Sequence, residues 1–278
     1  MIIDFHTHTF PEKIAQSAIS KMQLDCHSAA FTKGTAAALT DSMKSAGIDY
    51  SVVLPVITNP EKSQAINRLS VEQNGRDGLI YFGGIHPESA DISAQLKALK
   101  RGGVKGIKIH PVYQGTDIND IRFLRILYCA AENGLIVVTH AGDDIGFPGV
   151  VRCSPEMLAD ALKEVGDVTL VAAHMGGWRN WDEVERLSEF KNLYIDTAFS
   201  LGAITPIDGH YRKEQLGLMN ADEFMKIICV FGSKRVLFGT DSPWDCQKTA
   251  KERILKLPLD EREREDIFYN NAKELLML

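Results

Sequence analysis

Two histidines one residue apart, His6 and His8, close a short apolar run at the start of the chain. Side chains alternate between the two faces of a β-strand, so both imidazoles are expected on the same side. Two imidazoles placed in this way can occupy adjacent positions around a transition metal. An isolated pair is equally typical of a strand end before a turn. The pair therefore indicates metal chemistry only if other strand ends supply further ligands.

Further polar residues do end other apolar runs, and six of the eight histidines in the chain lie at such ends. The residues at these ends are His6, His8, His86, Lys108, His110, His140, His174 and Asp241. In the run before His140, the period of two places Ile136 and Val138 on the same face as the histidine. Apolar side chains below a polar group are what the interior of a barrel with a polar mouth requires.

Eight short apolar or β-branched runs alternate with segments of helical pattern, and the residues named above end these runs or follow them directly. They are Ile2–His6, Tyr50–Val56, Leu79–Ile85, Gly106–His110, Leu135–His140, Val168–His174, Leu193–Thr197 and Val236–Thr240. This alternation predicts an α/β fold of the (β/α)8 TIM-barrel type, which needs about 250 residues. An open doubly wound sheet has the same alternation, but no glycine-rich dinucleotide turn follows the first run. We expect one domain, 1–278, with loop excursions at about residues 10–31 and 199–218.

Composition excludes several other classes of protein. The 278 residues are 45% hydrophobic and 24% charged, with a net charge of −6, and they contain no basic cluster. We therefore expect no nucleic-acid and no membrane partner, since no apolar run reaches about 18 residues. The five cysteines are scattered and form no CxxC pair, which favours a reducing, cytoplasmic location. Asp4 interrupts the apolar core that a secretory signal would need.

The strand-end residues suit a divalent metal. His6, His8, His140 and Asp241 would offer three imidazoles and one carboxylate, a set that suits zinc best and leaves other first-row ions open. Such a metal lowers the pKa of a coordinated water to about 7. Asp241 could also take the proton of that water. His174 is expected beside the metal as a base or as a group that polarises the substrate.

Lys108 and His110 are the candidate substrate-binding residues. Lys108 shares a face with His110 and could grip a substrate carboxylate. It could also be carbamylated and bridge two metals, or simply pair with an acid such as Asp196 or Asp241. His110 and His86 each precede a proline, and each could instead be a hydrogen-bonded strand-end residue.

The ordered motifs resemble those of the amidohydrolase superfamily. They are IDFHTH at 3–8, GIKIHP at 106–111, VVTHAG at 137–142, VAAHMGG at 171–177, YIDTAF at 194–199, FGTDSPW at 238–244 and YNNAKELL at 269–276. The set is most similar to the branch that contains aminocarboxymuconate-semialdehyde decarboxylase, the resorcylate-type decarboxylases and pyrone-dicarboxylate lactonase. GGIHPE at 83–88 also resembles the TatD-type deoxyribonucleases, but those carry a glutamate on the fourth strand.

The resemblance implies metal ligands at His6, His8, His140 and Asp241, with His174 as a catalytic neighbour. Decarboxylase-like members with a single metal lack a bridging lysine on the fourth strand. Lys108 stands there in this chain, as in members with two metals, so the resemblance leaves the number of metals open.

Three functions are compatible with these residues. The first is a metal-dependent hydrolase that acts on an amide or lactone of a small carboxylated molecule through activated water. The second is a nonoxidative decarboxylase, a carboxy-lyase, of a small unsaturated or aromatic acid that uses the same site with one metal. The third is a barrel that binds a metal without catalysis. A small-molecule substrate is the expected partner in the first two, and a homodimer is compatible with the resemblance.

Overall fold

The computed structural model describes all residues, Met1–Leu278. Short strands alternate with helices along the chain, and the strands that pair within each compact unit run parallel. The chain forms two compact units, residues 1–53 with 197–278 and residues 54–196. The α/β class expected from the alternating runs is therefore confirmed. The organisation as a single domain stays a prediction.

The elements follow one another in the predicted order. The strands are β1 (Ile3–Thr7), β2 (Tyr50–Val53), β3 (Leu79–Tyr81), β4 (Gly83–Gly84), β5 (Gly106–Ile109), β6 (Ile136–Thr139), β7 (Leu170–Ala172), β8 (Leu193–Asp196) and β9 (Val236–Leu237). The helices are α1 (Glu12–Cys26), α2 (Ala36–Ala46), α3 (Ser63–Gln73), α4 (Ile92–Arg101), α5 (Ile121–Glu132), α6 (Pro155–Val165), α7 (Ala221–Phe231), α8 (Gln247–Leu255), α9 (Glu261–Glu265) and α10 (Asn271–Leu276).

In the unit of residues 1–53 and 197–278, β1 is held by backbone hydrogen bonds on both sides. It pairs with β2, where Ile3 stands opposite Tyr50. On its other side, the N–H of Phe5 donates to the carbonyl oxygen of Phe238 at 2.7 Å, just after β9. The side chains of Ile3 and Phe5 are fully buried, and burial of each contributes about 1.5–3 kcal/mol. The strand that carries His6 is thus anchored firmly.

In the unit of residues 54–196, five consecutive strands, β4 to β8, form a parallel sheet. Lys108 of β5 lies opposite Val138 of β6, and Thr139 of β6 lies opposite Ala172 of β7. Because neighbouring parallel strands end at the same edge of the sheet, the residues that follow β6 and β7 are brought close together. His140 follows β6 directly, and His174 follows β7.

Five of the ten α-helices begin after a residue whose side chain accepts a hydrogen bond from a backbone N–H of the first turn. Thr35 caps α2, Ser154 precedes Pro155 at the start of α6, and Asn220 forms a capping box with Glu223 at the start of α7. Side-chain oxygens at these positions satisfy backbone N–H groups that have no partner within the helix.

Asp120 is the N-cap of α5, and its replacement by alanine should destabilise the protein by about 1 kcal/mol. Its side chain accepts a hydrogen bond from the N–H of Arg122, and bonds from the Arg122 side chain lower the pKa of Asp120 to about 2. The stability that the ionised Asp120 contributes is fully present above its unfolded-state pKa of about 3.9, and it is lost as the pH falls through about 2. Urea unfolding at pH 7 measures the loss. Asp120→Asn, which keeps the cap oxygen, should lose less than half as much, and equal losses would contradict a capping role.

The helical patterns in the sequence predict α-helices over residues 182–189 and 260–276 and none over residues 247–255, and the structure differs in all three places. Residues Trp181–Glu189 form a 3₁₀ helix rather than an α-helix. The predicted terminal helix is interrupted by π-helical turns over Asp266–Asn270. Helix α8 was not predicted, because its charged residues leave only Ala250 and Ile254 as a buried apolar pair.

The two segments predicted as loop excursions differ in their secondary structure. The first contains α1, and the second contains no α-helix, only a 3₁₀ turn at Lys213–Gln215. The two excursions meet within their own unit, where Ser28 bridges to Pro206 and the ring of His27 stacks on that of His210. None of the helices combines the length and apolar character that a membrane span requires. The cytoplasmic location and the homodimer stay predictions.

Candidate functional site

Three of the predicted metal ligands come together in the unit of residues 1–53 and 197–278. Oδ1 of Asp241 lies 3.4 Å from Nε2 of His6 and 3.1 Å from Nε2 of His8. His6 is fully buried, and Asp241 is 8% exposed. The backbone N–H of Asp241 donates to the carbonyl oxygen of His6 at 2.8 Å, and this bond fixes the two chain segments in register.

The donor set of this cluster fits a divalent metal. The three ligand atoms lie within 4.8 Å of one another, and they comprise two imidazole nitrogens and a carboxylate oxygen. Ligand atoms about 2.0–2.2 Å from a tetrahedral zinc ion lie about 3.4 Å apart. The observed separations from Asp241 Oδ1, 3.4 Å and 3.1 Å, are close to that spacing without any movement of the side chains. His6, His8 and Asp241 could therefore hold such an ion.

A fully buried carboxylate, Asp4, lies behind this cluster on the same strand. It accepts hydrogen bonds from the N–H of Thr240 at 3.0 Å, the hydroxyl of Thr240 at 2.6 Å and the side-chain amide of Gln247 at 2.7 Å. It also accepts a weaker bond from the N–H of His6 at 3.3 Å. Burial raises the pKa of Asp4 to about 7, and the bonds from Gln247 and Thr240 act in the opposite direction. Asp4 thus ties the strand that bears His6 to the segment that bears Asp241.

A second cluster of imidazoles lies in the unit of residues 54–196. Nε2 of His174 is 3.1 Å from Nδ1 of His140, and the ring of His110 stacks on that of His140 with centroids 4.2 Å apart. Oδ2 of Asp144 is 3.4 Å from Nε2 of His110 and 3.6 Å from Nε2 of His140. Three predicted site residues, His110, His140 and His174, are thus brought together around an acid that the sequence analysis did not single out.

His174 is held in a backbone conformation that few residues adopt. Its φ is 59° and that of Met175 is 55°, both in the left-handed region. Asp196, at the end of β8, accepts a hydrogen bond from the N–H of His174 at 2.9 Å through its side chain. Its carbonyl oxygen accepts another from the N–H of Met175 at 2.7 Å. Strain of this kind concentrates at functional sites and persists where the surroundings enforce it.

The loops that follow His140 and His174 are joined by backbone hydrogen bonds. The N–H of Trp178 donates to the carbonyl oxygen of Ala141 at 2.8 Å, and the N–H of Asp143 donates to that of Trp178 at 2.9 Å. Gly142 stands between these bonds with a φ of 88°. A Cβ at this position would overlap the backbone nitrogen and oxygen of Trp178. Only glycine permits this approach.

Replacing Gly142 by alanine should lower the free energy of unfolding through two effects. Backbone strain at positive φ alone costs about 1–3 kcal/mol. The loss should exceed this amount, because the added methyl group also collides with the backbone of Trp178. Gly149→Ala is the matched control. Gly149 has a φ of 77° in the same loop region, but a Cβ there meets nothing within 4 Å. Denaturant unfolding of both variants isolates the cost of the collision, and equal losses would contradict this close approach.

Lys108 is buried rather than displayed at a surface, with 1% of its area exposed. Burial raises the pKa of Cys153 to about 12, while a hydrogen bond with Thr139 and the charge of Lys108 act in the opposite direction. The ammonium group therefore lies within electrostatic reach of Cys153. Its predicted role in binding substrate stays a prediction, as do carbamylation and pairing with an acid.

His86, which ends a predicted strand, and two residues of the loop after β7, Arg179 and Trp181, are engaged in local structure. Nδ1 of His86 accepts a hydrogen bond from the N–H of Glu88 at 3.1 Å, and burial lowers the pKa of this histidine. The guanidinium of Arg179 lies 4.7 Å above the ring of Trp178. Trp181 donates from its indole to the carbonyl oxygen of His174 at 2.9 Å and so buttresses the left-handed turn.

Comparison with known proteins identifies the family. The amidohydrolase family profile matches residues 3–278. The chain belongs to the amidohydrolase family, a family of enzymes. The resemblance read from the motifs is therefore confirmed. A search of curated proteins found no match.

Solved structures share the fold over nearly the whole chain. An uncharacterized TIM-barrel protein from Bordetella bronchiseptica is 19% identical with a TM-score of 0.75, covering 99% of this chain and 98% of that one. The 5-carboxyvanillate decarboxylase from Sphingomonas paucimobilis is 12% identical with a TM-score of 0.69, covering 100% and 99%. A Pseudomonas putida protein assigned provisionally as a 2-pyrone-4,6-dicarboxylic acid hydrolase is 17% identical with a TM-score of 0.66, covering 99% and 97%. The (β/α)8 barrel, rather than an open doubly wound sheet, is thus confirmed.

Sequence reasoning did not assign a role to Asp4 or Asp144, and each left a signal. Asp4 precedes His6 by two residues and therefore shares its strand face, as His8 does. Asp144 follows His140 by four residues in a loop after a strand, where binding residues concentrate. His140 was predicted to be the fourth ligand beside His6, His8 and Asp241, and that assignment stays a prediction.

Proposed function

We propose that this amidohydrolase is a metal-dependent hydrolase that cleaves an amide or lactone of a small carboxylated molecule. The observation that carries the proposal is the convergence of two imidazoles on one carboxylate oxygen, with Asp241 Oδ1 at 3.4 Å and 3.1 Å from the histidine nitrogens. His6 and Asp241 are buried and His8 is half-buried, which strengthens the electrostatic interactions made there. The family match and the similarity to the protein assigned provisionally as a 2-pyrone-4,6-dicarboxylic acid hydrolase are compatible with this reaction class.

The metal in this proposal is zinc, held by His6, His8 and Asp241, with His140 as the fourth ligand predicted from the sequence. Imidazole nitrogens and a carboxylate are ligands that zinc favours. When bound, such an ion supplies Lewis-acid polarisation of the substrate carbonyl and a lowered pKa for water. Elemental analysis of protein purified without chelator should find metal, and intact-mass analysis would detect a carbamate on Lys108.

The remaining chemistry belongs to side chains of the protein. Asp241 accepts a proton from water as the water oxygen bonds to the substrate carbonyl carbon. The same carboxyl group then gives that proton to the leaving nitrogen or oxygen as the C–N or C–O bond breaks. His174 donates a hydrogen bond to the carbonyl oxygen while negative charge develops on it. Lys108, one of the two predicted substrate-binding residues, holds the carboxylate of the substrate.

A nonoxidative decarboxylase is the second candidate. It is favoured by the full-length similarity to the 5-carboxyvanillate decarboxylase and to a 2,6-dihydroxybenzoate decarboxylase, the latter 16% identical with a TM-score of 0.68. In this reaction Asp241 would deliver a proton to a carbon of the substrate. The bond from that carbon to the carboxylate then breaks, its electrons remain on the carbon, and carbon dioxide leaves.

Product analysis separates the two reactions. We would incubate the zinc-loaded protein with 2-pyrone-4,6-dicarboxylic acid, a lactone, and separately with 2,6-dihydroxybenzoate and 5-carboxyvanillate. The proposal expects ring opening of the lactone or hydrolysis within a wider set of carboxylated lactones and amides, and no release of carbon dioxide. Release of carbon dioxide from an aromatic acid without any hydrolysis would support the decarboxylase. Full turnover after exhaustive removal of metal would contradict both reactions.

A further inference from the structure

Asp144 is a buried carboxylate, 7% exposed, in the loop that follows β6. Its Oδ1 accepts a hydrogen bond from the N–H of Gly146 at 2.8 Å. Its Oδ2 faces two imidazoles, with Nε2 of His110 at 3.4 Å and Nε2 of His140 at 3.6 Å. An ionised carboxylate can only accept hydrogen bonds, and burying it without donors is costly. Asp144 therefore favours a proton on Nε2 of both rings.

The ring of His140 is oriented independently by the next loop residue. Its Nε2 lies 2.9 Å from the backbone carbonyl oxygen of Asp143. A carbonyl oxygen only accepts, so this nitrogen must carry the hydrogen. A neutral imidazole protonated at Nε2 has its lone pair on Nδ1. That Nδ1 faces Nε2 of His174 at 3.1 Å.

His110 is oriented in the same sense. Its Nδ1 accepts a hydrogen bond from the backbone N–H of Tyr113 at 3.4 Å, which leaves the proton on Nε2. The ring stacks on that of His140 with an interplanar angle of 11°, so the two Nε2 atoms reach the same oxygen of Asp144. Asp144 thus faces Nε2 of both predicted site residues, and at His140 it adds to the constraint that the Asp143 carbonyl oxygen imposes.

We propose that Asp144 is a positioning residue that holds His110 and His140 as Nε2–H tautomers, so that His140 acts through Nδ1. This inference deepens the proposed function, on which it rests in taking His140 as a ligand. The ligand atoms of His110, His140 and Asp144 lie within 4.8 Å and could themselves hold a cation. The contact of His140 Nε2 with the Asp143 carbonyl oxygen argues against that arrangement, because a metal ligand must be deprotonated there.

The tautomers can be observed directly by two-bond ¹H–¹⁵N correlation spectra of the histidine rings in ¹⁵N-labelled protein, as purified and after zinc loading. His110→Gln and His140→Gln variants assign the two rings. The expected pattern has the proton on Nε2 of both rings, with zinc moving the Nδ1 resonance of His140. A proton on Nδ1 of His140, or zinc-induced loss of the Nε2 proton from both rings, would overturn the proposal.

Asp144→Asn tests the carboxylate, and Asp143→Asn is the matched control, because it changes the adjacent side chain and keeps the backbone carbonyl. In Asp144→Asn we expect the His110 ring to show averaged signals of two tautomers, with a smaller change at His140. Zinc affinity, measured by competition with a chelator, should fall about 10–100-fold, as it does when groups behind ligands are removed. The control should keep the wild-type spectra and affinity. Unchanged spectra and affinity in Asp144→Asn would also overturn the proposal.

Two further measurements keep the result interpretable. Asp144→Glu retains the carboxylate and should restore part of the zinc affinity, which a purely structural defect would not allow. The spectra of the wild-type protein report the tautomers directly, whether or not the protein turns over a substrate. A protein without hydrolase activity that shows both Nε2–H tautomers would contradict the proposed function and leave this inference standing.

Discussion

Asp241→Ala should reduce both metal content and hydrolysis, with turnover falling by about 10³-fold or more. The reason is that one oxygen of Asp241 lies within 3.4 Å of His6 Nε2 and 3.1 Å of His8 Nε2, so the change removes a ligand and the proposed proton acceptor together. Elemental analysis measures the metal, and initial rates on the substrate identified by product analysis measure turnover.

Asp241→Asn separates the two roles of this side chain. Its amide oxygen can still face the metal, but it cannot take up a proton at neutral pH. We expect this variant to keep more zinc than the alanine variant while its kcat falls almost as far. Equal zinc loss in both variants would show that charge at this position matters mainly for binding the ion. Wild-type turnover in Asp241→Asn would contradict the proposed proton transfer.

Asp4→Asn should lower the free energy of unfolding by about 2–3 kcal/mol. The new NH₂ group is a donor, and the groups that face it are themselves hydrogen-bond donors. Asp4 accepts bonds from two groups of Thr240 and from the amide of Gln247, all within 3.0 Å. Asp4 is fully buried, so a polar group left there without a hydrogen-bond partner destabilises the protein by its full desolvation penalty. Urea unfolding in the presence of saturating zinc and in its absence provides the measurement.

The same substitution should weaken zinc binding about 10-fold, since Asp4 joins the strand of His6 to the segment of Asp241. Asp49→Asn is the matched control: Asp49 also accepts a backbone N–H, that of Ile2 at 2.7 Å, but at an exposed position. The control should unfold within about 0.5 kcal/mol of wild type. An Asp4→Asn protein with wild-type unfolding and zinc affinity would show that the hydrogen bonds to Asp4 do not position the ligands.

Much of the fold could be predicted because local signals agreed with the final arrangement. Short β-branched runs separated by helical segments predict the parallel α/β order, and cap residues such as Ser154 and Asn220 mark helix starts through bonds to neighbouring N–H groups. Prediction failed where such signals are weak. Helix α8 is highly charged, and the 3₁₀ geometry of Trp181–Glu189 cannot be distinguished from an α-helix by periodicity over so few residues.

The sequence by itself determined which residues can do chemistry: His6 and His8 share a face because strand side chains alternate, and His140, His174 and Asp241 each follow a buried run. The tertiary structure alone decided which atoms meet. The approach of Asp241 Oδ1 to two imidazoles depends on a pairing between residues more than 230 positions apart. The approach of Asp144 Oδ2 to Nε2 of both His110 and His140 depends on a loop that returns to two strand ends. Such contacts are set by packing across the chain, which no local pattern of residues encodes.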